Sequence, residues 1–139
     1  MTYALAWELQ RAVFARLTTA PAVTALIGDR IYDAAPPHAG PASELYVTLG
    51  DETVKDRSTA TTRGAAHQLN IAVTAPSPGF GQAKQAAAAI CDALLESDLP
   101  LGRGRVIVLT FRSAETERGE DDALRRIVLS FRALLEDTA

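Results

Sequence analysis

Apolar residues recur along this chain in two rhythms, and the switches between them set out its elements. Leu5, Leu9, Ala12, Val13 and Leu17 fall at helical spacing and predict a first helix over about 3–17, with Trp7 and Phe14 extending or flanking the stripe. Arg11 and Arg16 lie on its polar side. Pro21 suits the first position of a second, short helix, because its missing N–H would be unpaired there anyway. Gly28 suits the position just past that helix's end, and Val23, Leu26 and Ile27 can cover a core. Alternation then takes over, with Leu45, Val47 and Leu49 on one side of a strand over about 45–54. A second strand over about 67–75 sets Leu69, Ile71 and Val73 against Gln68, Asn70 and Ala72.

The helical rhythm returns at about 82–97, where Ala83, Ala86, Ala87, Ile90, Ala93 and Leu94 make one stripe. Its alanines allow close approach to a sheet and supply high helix propensity. A third strand over about 103–115 alternates Val106, Val108 and Thr110 with Ile107, Leu109 and Phe111. A fourth, over about 124–135, puts Ile127, Leu129, Phe131, Ala133 and Leu135 on one face. These elements predict an α+β fold: a two-layer domain with a mainly antiparallel four-stranded sheet and two long helices packed on one face. A length of 139 residues fits a single domain over 1–139.

The connections carry the polar and special residues. Residues 30–53, RIYDAAPPHAGPASELYVTLGDET, run from a short apolar piece at Ile31 and Tyr32 through Pro36, Pro37 and Pro41 into the first strand. Proline fixes φ and cannot donate a ladder hydrogen bond, so an extended surface crossing is expected there. Residues 55–64, KDRSTATTRG, read as a long hairpin loop or a pair of ragged strand ends. TERGEDDA reads as a charged hairpin tip.

Composition narrows the function. Hydrophobic residues make up 47% and charged residues 22%, the balance of a chain that builds a core. The net charge of −3 argues against a protein whose main task is gripping nucleic acid. One cysteine, Cys91, allows no internal disulfide. The opening MTYALAWELQRAVFARL lacks a positive leading region, so no secretory signal is expected, and no apolar run approaches a membrane span. Synthesis in the bacterial cytoplasm and no membrane partner are the expectations.

Catalytic chemistry finds little support. No G-x-S-x-G elbow occurs around any serine. His38 and His67 stand alone, and lone histidines more often pack or solvate than bind metal. Cys91, beside Ile90 and Leu94, reads as a small core residue. Asp51 and Glu52 leave opposite faces of a strand and make no acid–base pair. Gly79–Gly81 and Gly102–Gly104 read as turns, since the phosphate-loop pattern is not met. No catalytic residue, cofactor or metal site is expected.

The order of phrases nonetheless points to a family. ALIGDRIYDAAP, LYVTLGDETVKDRST, RGAAHQLNIAV, an alanine-rich helix, then VIVLTFRSAETE and RRIVLSFRALLED follow one another over nearly the whole chain. In this the chain resembles the tail-terminator, or tail-completion, proteins of long-tailed, non-contractile phages and phage-like gene transfer agents. The resemblance implies a structural, non-enzymatic α+β subunit of a virion or virus-like particle. It would cap the tail tube as a six-membered ring, stop tube polymerisation and join the tail to the head-side neck. Its partners would be copies of itself, the tail tube protein and the neck or stopper protein. DNA would pass through the lumen without specific binding.

A closed ring needs a heterologous interface, and strand edges and hairpin tips can supply one. The expected contact residues are Lys55, Arg57, Thr59 and Arg63 in one loop, with Glu117, Arg118, Glu120 and Asp121 in the other. Acidic residues facing the lumen would repel phosphates and let DNA slide. The competing readings are a head–tail neck connector, a small α+β enzyme or ligand-binding module with a polar pocket, and a two-fold regulatory dimer.

Overall fold

A computed structural model describes residues 3–33, 44–76, 80–96, 98–118 and 124–137. Its elements are α1 (Ala6–Thr19), α2 (Pro21–Ile27), β1 (Ile31–Tyr32), β2 (Tyr46–Asp56), β3 (Arg63–Pro76), α3 (Gly81–Leu95), β4 (Arg105–Arg118) and β5 (Leu124–Asp137). The proline crossing, with His38, and the tip of the last hairpin, with Glu120 and Asp121, lie outside the described residues.

The sheet corrects the four-stranded expectation. Among the described residues it has five strands in the order β1-β2-β3-β5-β4. The extra strand is β1, which runs parallel to β2 through Ile31↔Val47 and Tyr32↔Thr48 and makes the sheet mixed. Two residues are too few to show alternation, so β1 is visible only through its pairing. The described residues hold three helices, the two long ones and the short α2 expected from Pro21; α2 joins the covering layer, with Val23 and Ile27 fully buried. Pro21 opens α2 and Gly28 closes it at φ 64, its N–H bonded to the Thr24 carbonyl.

The core lies between the helices and one sheet face. Leu9, Val13 and Leu17 of α1 and Ala83, Ala86, Ile90 and Leu94 of α3 meet Ile71, Val73, Leu129, Phe131 and Leu135. β3 and β5 pair without a register shift from Arg63↔Asp137 to Pro76↔Leu124. Alanines at 65, 66, 72 and 75 are buried, while Gln68 and Asn70 open the middle of β3 on the face without helices. The helix layer covers only the first part of β4, where Val106 and Leu109 pack against the core. Every residue from Thr110 to Arg118 is exposed, although Phe111 sets its ring edge-on to the buried Phe131 at 5.8 Å.

Alternation in β4 is not the regular one that its sequence predicts. Register shifts between Val106 and Val108 and between Phe111 and Ser113 bring Val106, Leu109 and Phe111 to the same partners' side, opposite Leu135, Ala133 and Phe131. A bulge adds a residue on one strand and moves every later side chain to the other face. The irregularity in β2 between Leu49 and Glu52 acts the same way. It turns Glu52 towards the helix side, where its Oε2 lies 2.9 Å from Nδ1 of the fully buried His67. His67 is thus a packed core histidine inside β3.

Candidate tail-assembly surfaces

The first candidate loop is shorter than its sequence suggests, because both strands run into it. Lys55 is inside β2 and pairs with Ala66, and Arg63 opens β3. The tip between them is held by its own polar groups. Arg57 N–H donates to the Gly64 carbonyl at 2.8 Å, and Thr59 N–H to the Thr62 carbonyl at 3.0 Å. The Thr59 hydroxyl accepts from the N–H of Thr62 at 3.1 Å and meets the Thr62 hydroxyl at 2.6 Å. Ser58 donates to Asp56 Oδ1 through its hydroxyl at 2.7 Å and its N–H at 3.1 Å, which holds the Asp56 carboxyl below its ordinary range. Small polar residues close turns in this way because each satisfies backbone groups locally. Thr59 therefore shapes the tip. Lys55, Arg57 and Arg63 present their cationic groups to solvent.

Glu117 and Arg118, in the second candidate loop, end β4 opposite Arg126 and Arg125. Glu117 reaches Arg126 at 3.8 Å. The register then separates the two loops. Arg63 sits at one end of β3 beside Asp137, and Pro76 at the other end beside Leu124. A fourteen-residue strand spans roughly 45 Å, so the two sets cannot form one contact patch. Each occupies its own end of the sheet.

A further constellation, invisible to local sequence reading, sits near the first tip. Arg103 donates from Nε to Asp137 Oδ1 at 2.9 Å and from Nη2 to Oδ2 at 2.8 Å. The Asp137 side chain is fully buried. This two-pronged pair ties the loop before β4 to the end of β5. The same loop is pinned to α1, since Gly102 N–H donates to Glu8 Oε2 at 3.0 Å. Gly104 adopts φ 71, and a Cβ there would lie 2.6 Å from the Glu136 carbonyl and 2.8 Å from Leu5.

Two clefts among the described residues are small. One between α1 and the β2–β3 pair holds about 30 Å³, about one water, and is lined by Leu9, Val13, Leu49 and Ile71. Another at the β1 side holds about 250 Å³, with Arg30 and Glu44 on its wall. Small-molecule sites commonly run from about 300 to 1,000 Å³ with converging polar groups. Among the described residues no three histidine, cysteine or acidic side chains gather as a metal cage, and no helix is long and apolar enough to cross a membrane.

A family model described as "Tail completion protein gp17" matches residues 11–136. The chain belongs to that family. Membership in the tail-completion family gives it a structural role in a phage-type tail and a place in a virion or virus-like particle. Among solved structures it is similar to a chain of the "Virion of native gene transfer agent (GTA) particle". The two are 46% identical with a TM-score of 0.88, over 97% of this chain and 99% of that one. No curated protein matches. The phrases quoted from the sequence now have positions in this tail-completion fold: ALIGDRIYD, the described part of the first, closes α2 and forms β1, LYVTLGDETVKDRST is β2 with its tip, and the last two phrases are β4 and β5.

Proposed function

We propose that the protein caps the tail tube as a closed ring of identical copies, ends tube growth and offers the neck a docking face. The observation that carries this is the family match over residues 11–136, joined to 46% identity with a virion chain over nearly the full length. Two distant ends of one stiff sheet, at Arg63 and at Arg118, support a subunit that meets different neighbours above and below. The Lys55–Arg57–Arg63 tip suits an acidic protein surface, and the Glu117–Arg118 end a mixed one. The sheet face without helices carries Gln68, Asn70 and Thr110, with Glu115 and Glu117 set against Arg126 and Arg132, polar groups of balanced sign. Such a face lets a polyanion pass without retaining it, which fits a lumen lining that DNA slides along. No bond is made or broken in this role, and no cofactor takes part.

Tail length in particles assembled without this protein tests the reading. Tubes of uncontrolled length that regain a single length on adding the protein back are expected. Normal, head-joined tails in its absence would overturn it. Arg57→Glu with Arg63→Glu should leave the chain folded and abolish tail completion; intact particles from that variant would remove the tip from the contact.

A further inference from the structure

Among the described residues seven large apolar side chains stay exposed, and they fall into two groups on opposite margins of the sheet. Tyr3, Trp7 and Phe14 are exposed at 66%, 61% and 43%. Trp7 and Phe14 are two helical turns apart, and Gln10 lies between them on the same face. Gln10 donates to Asp33, just past β1, at 2.6 Å. The stripe therefore looks out over the β1–β2 margin. The opposite side of α1 is taken: Arg16 donates to the carbonyls of Ala93 and Asp98 at the end of α3.

The second group is Leu95, Ile107, Val108 and Phe111, at the end of α3 and on β4, the other outer strand. A shallow hollow of about 250 Å³ lies among Leu95, Leu99, Val106 and Val108. Monomeric proteins seldom leave such groups open, and paired ones mark interfaces.

The charges on the two margins are opposite. Between Arg103 and Ala114 the β4 margin carries Arg103, Arg105 and Arg112 and no acid; Arg103 and Arg105 are paired with the less exposed Asp137 and Glu136 of β5 but keep much of their own side chains open to solvent. Exposed Asp29, Asp33, Glu44 and Asp51 stand along the β1–β2 margin, with Arg30 the one base among residues 29–33 and 44–51.

We infer that the β4 margin of one copy seats against the α1 stripe and acidic β1–β2 margin of the next. The inference rests on the ring reading and names the surfaces that close it. Different patches mate, so the contact is head-to-tail and propagates around an axis. Phe111 and Ile107 meet Trp7 and Phe14, and Arg105 and Arg112 face Asp33 and Asp51. The two bulges in β4 break its free edge into short runs, so side chains make the joint and no continuous strand ladder is added.

The test places a benzophenone amino acid at position 14 of the full chain and irradiates assembled tails. A cross-link to residues 105–118 of a second copy is expected. Cross-links to the tube protein, or to this chain outside β4, would overturn the inference. Charge exchange gives an independent arm. Arg105→Glu with Arg112→Glu, or Asp33→Lys with Asp51→Lys, should each cut finished tails at least tenfold with unchanged circular dichroism. All four changes in one chain should restore them, since both margins reverse together. Failure to restore, from a chain that still folds, would overturn it. Normal tail-length control with cross-links elsewhere defeats this pairing alone; loss of length dependence on the protein defeats the ring reading itself.

Discussion

Arg103→Met removes a guanidinium from a buried carboxylate and keeps most of the side-chain stem. In the wild type both Asp137 oxygens are engaged, at 2.9 and 2.8 Å, and the carboxylate has no solvent exposure. Hydrogen bonds to charged groups contribute about 1.5–3 kcal/mol, and stranding one member of a fully buried pair costs about 3–5 kcal/mol. Arg103 is itself 44% exposed, so water can enter once it is gone and the cost falls. The expected loss is about 2–3 kcal/mol, which lowers the melting temperature by roughly 5–10 °C in a chain this size. Asp137→Asn should cost about 1–2 kcal/mol, because the amide still accepts one bond. Urea unfolding followed by circular dichroism gives each value, and the double variant closes a cycle. A coupling of about 1–2 kcal/mol is expected. If Arg103→Met changes stability by less than about 0.5 kcal/mol, the pair does not hold the loop and the reasoning from its burial is wrong.

Gly104→Ala should destabilise the fold by about 2–4 kcal/mol, since it adds left-handed strain to contacts of 2.6 and 2.8 Å; thermal unfolding reads this directly. Phe131→Ala should cost about 3–5 kcal/mol by opening a cavity under α3. Phe111→Ala, at a half-open ring, should cost about 1 kcal/mol in the same urea titration and show its main effect on tail assembly. Ser58→Ala should raise the Asp56 carboxyl towards its ordinary value of 3.8 in an NMR titration. The hydrogen bonds from Ser58 stabilise the tip above that value and are lost as pH falls through the lower folded one, so the wild-type tip should loosen only in strong acid.

Local pattern reaches as far as local forces decide. Both long helices were legible because Leu9, Val13 and Leu17, or Ala86, Ile90 and Leu94, repeat at the helical period and are all buried. The buried face of β5, Ile127 through Leu135, was equally plain. The bulges in β4 were not: alternating Val106 to Phe111 reads as a regular strand, and only pairing with β5 reveals the slips. The strand order also escaped, because β5 enters between β3 and β4 and so sends Arg63 and Arg118 to opposite ends of the sheet. Arg103 and Asp137 lie far apart in the chain with no periodic signal to link them. Trp7 and Phe14 flanked the predicted core stripe and face outward instead, a choice made by where α3 and the sheet end.

The uninterrupted ladder between β3 and β5 has a mechanical consequence. Fourteen consecutive pairings in register leave no hinge between the subunit's ends, so load applied at one reaches the other as axial thrust. Spacing between whatever rests on each end is then written in the number of strand residues. Inserting a matched dipeptide in both central strands should lengthen the molecule by about 7 Å without turning any side chain over.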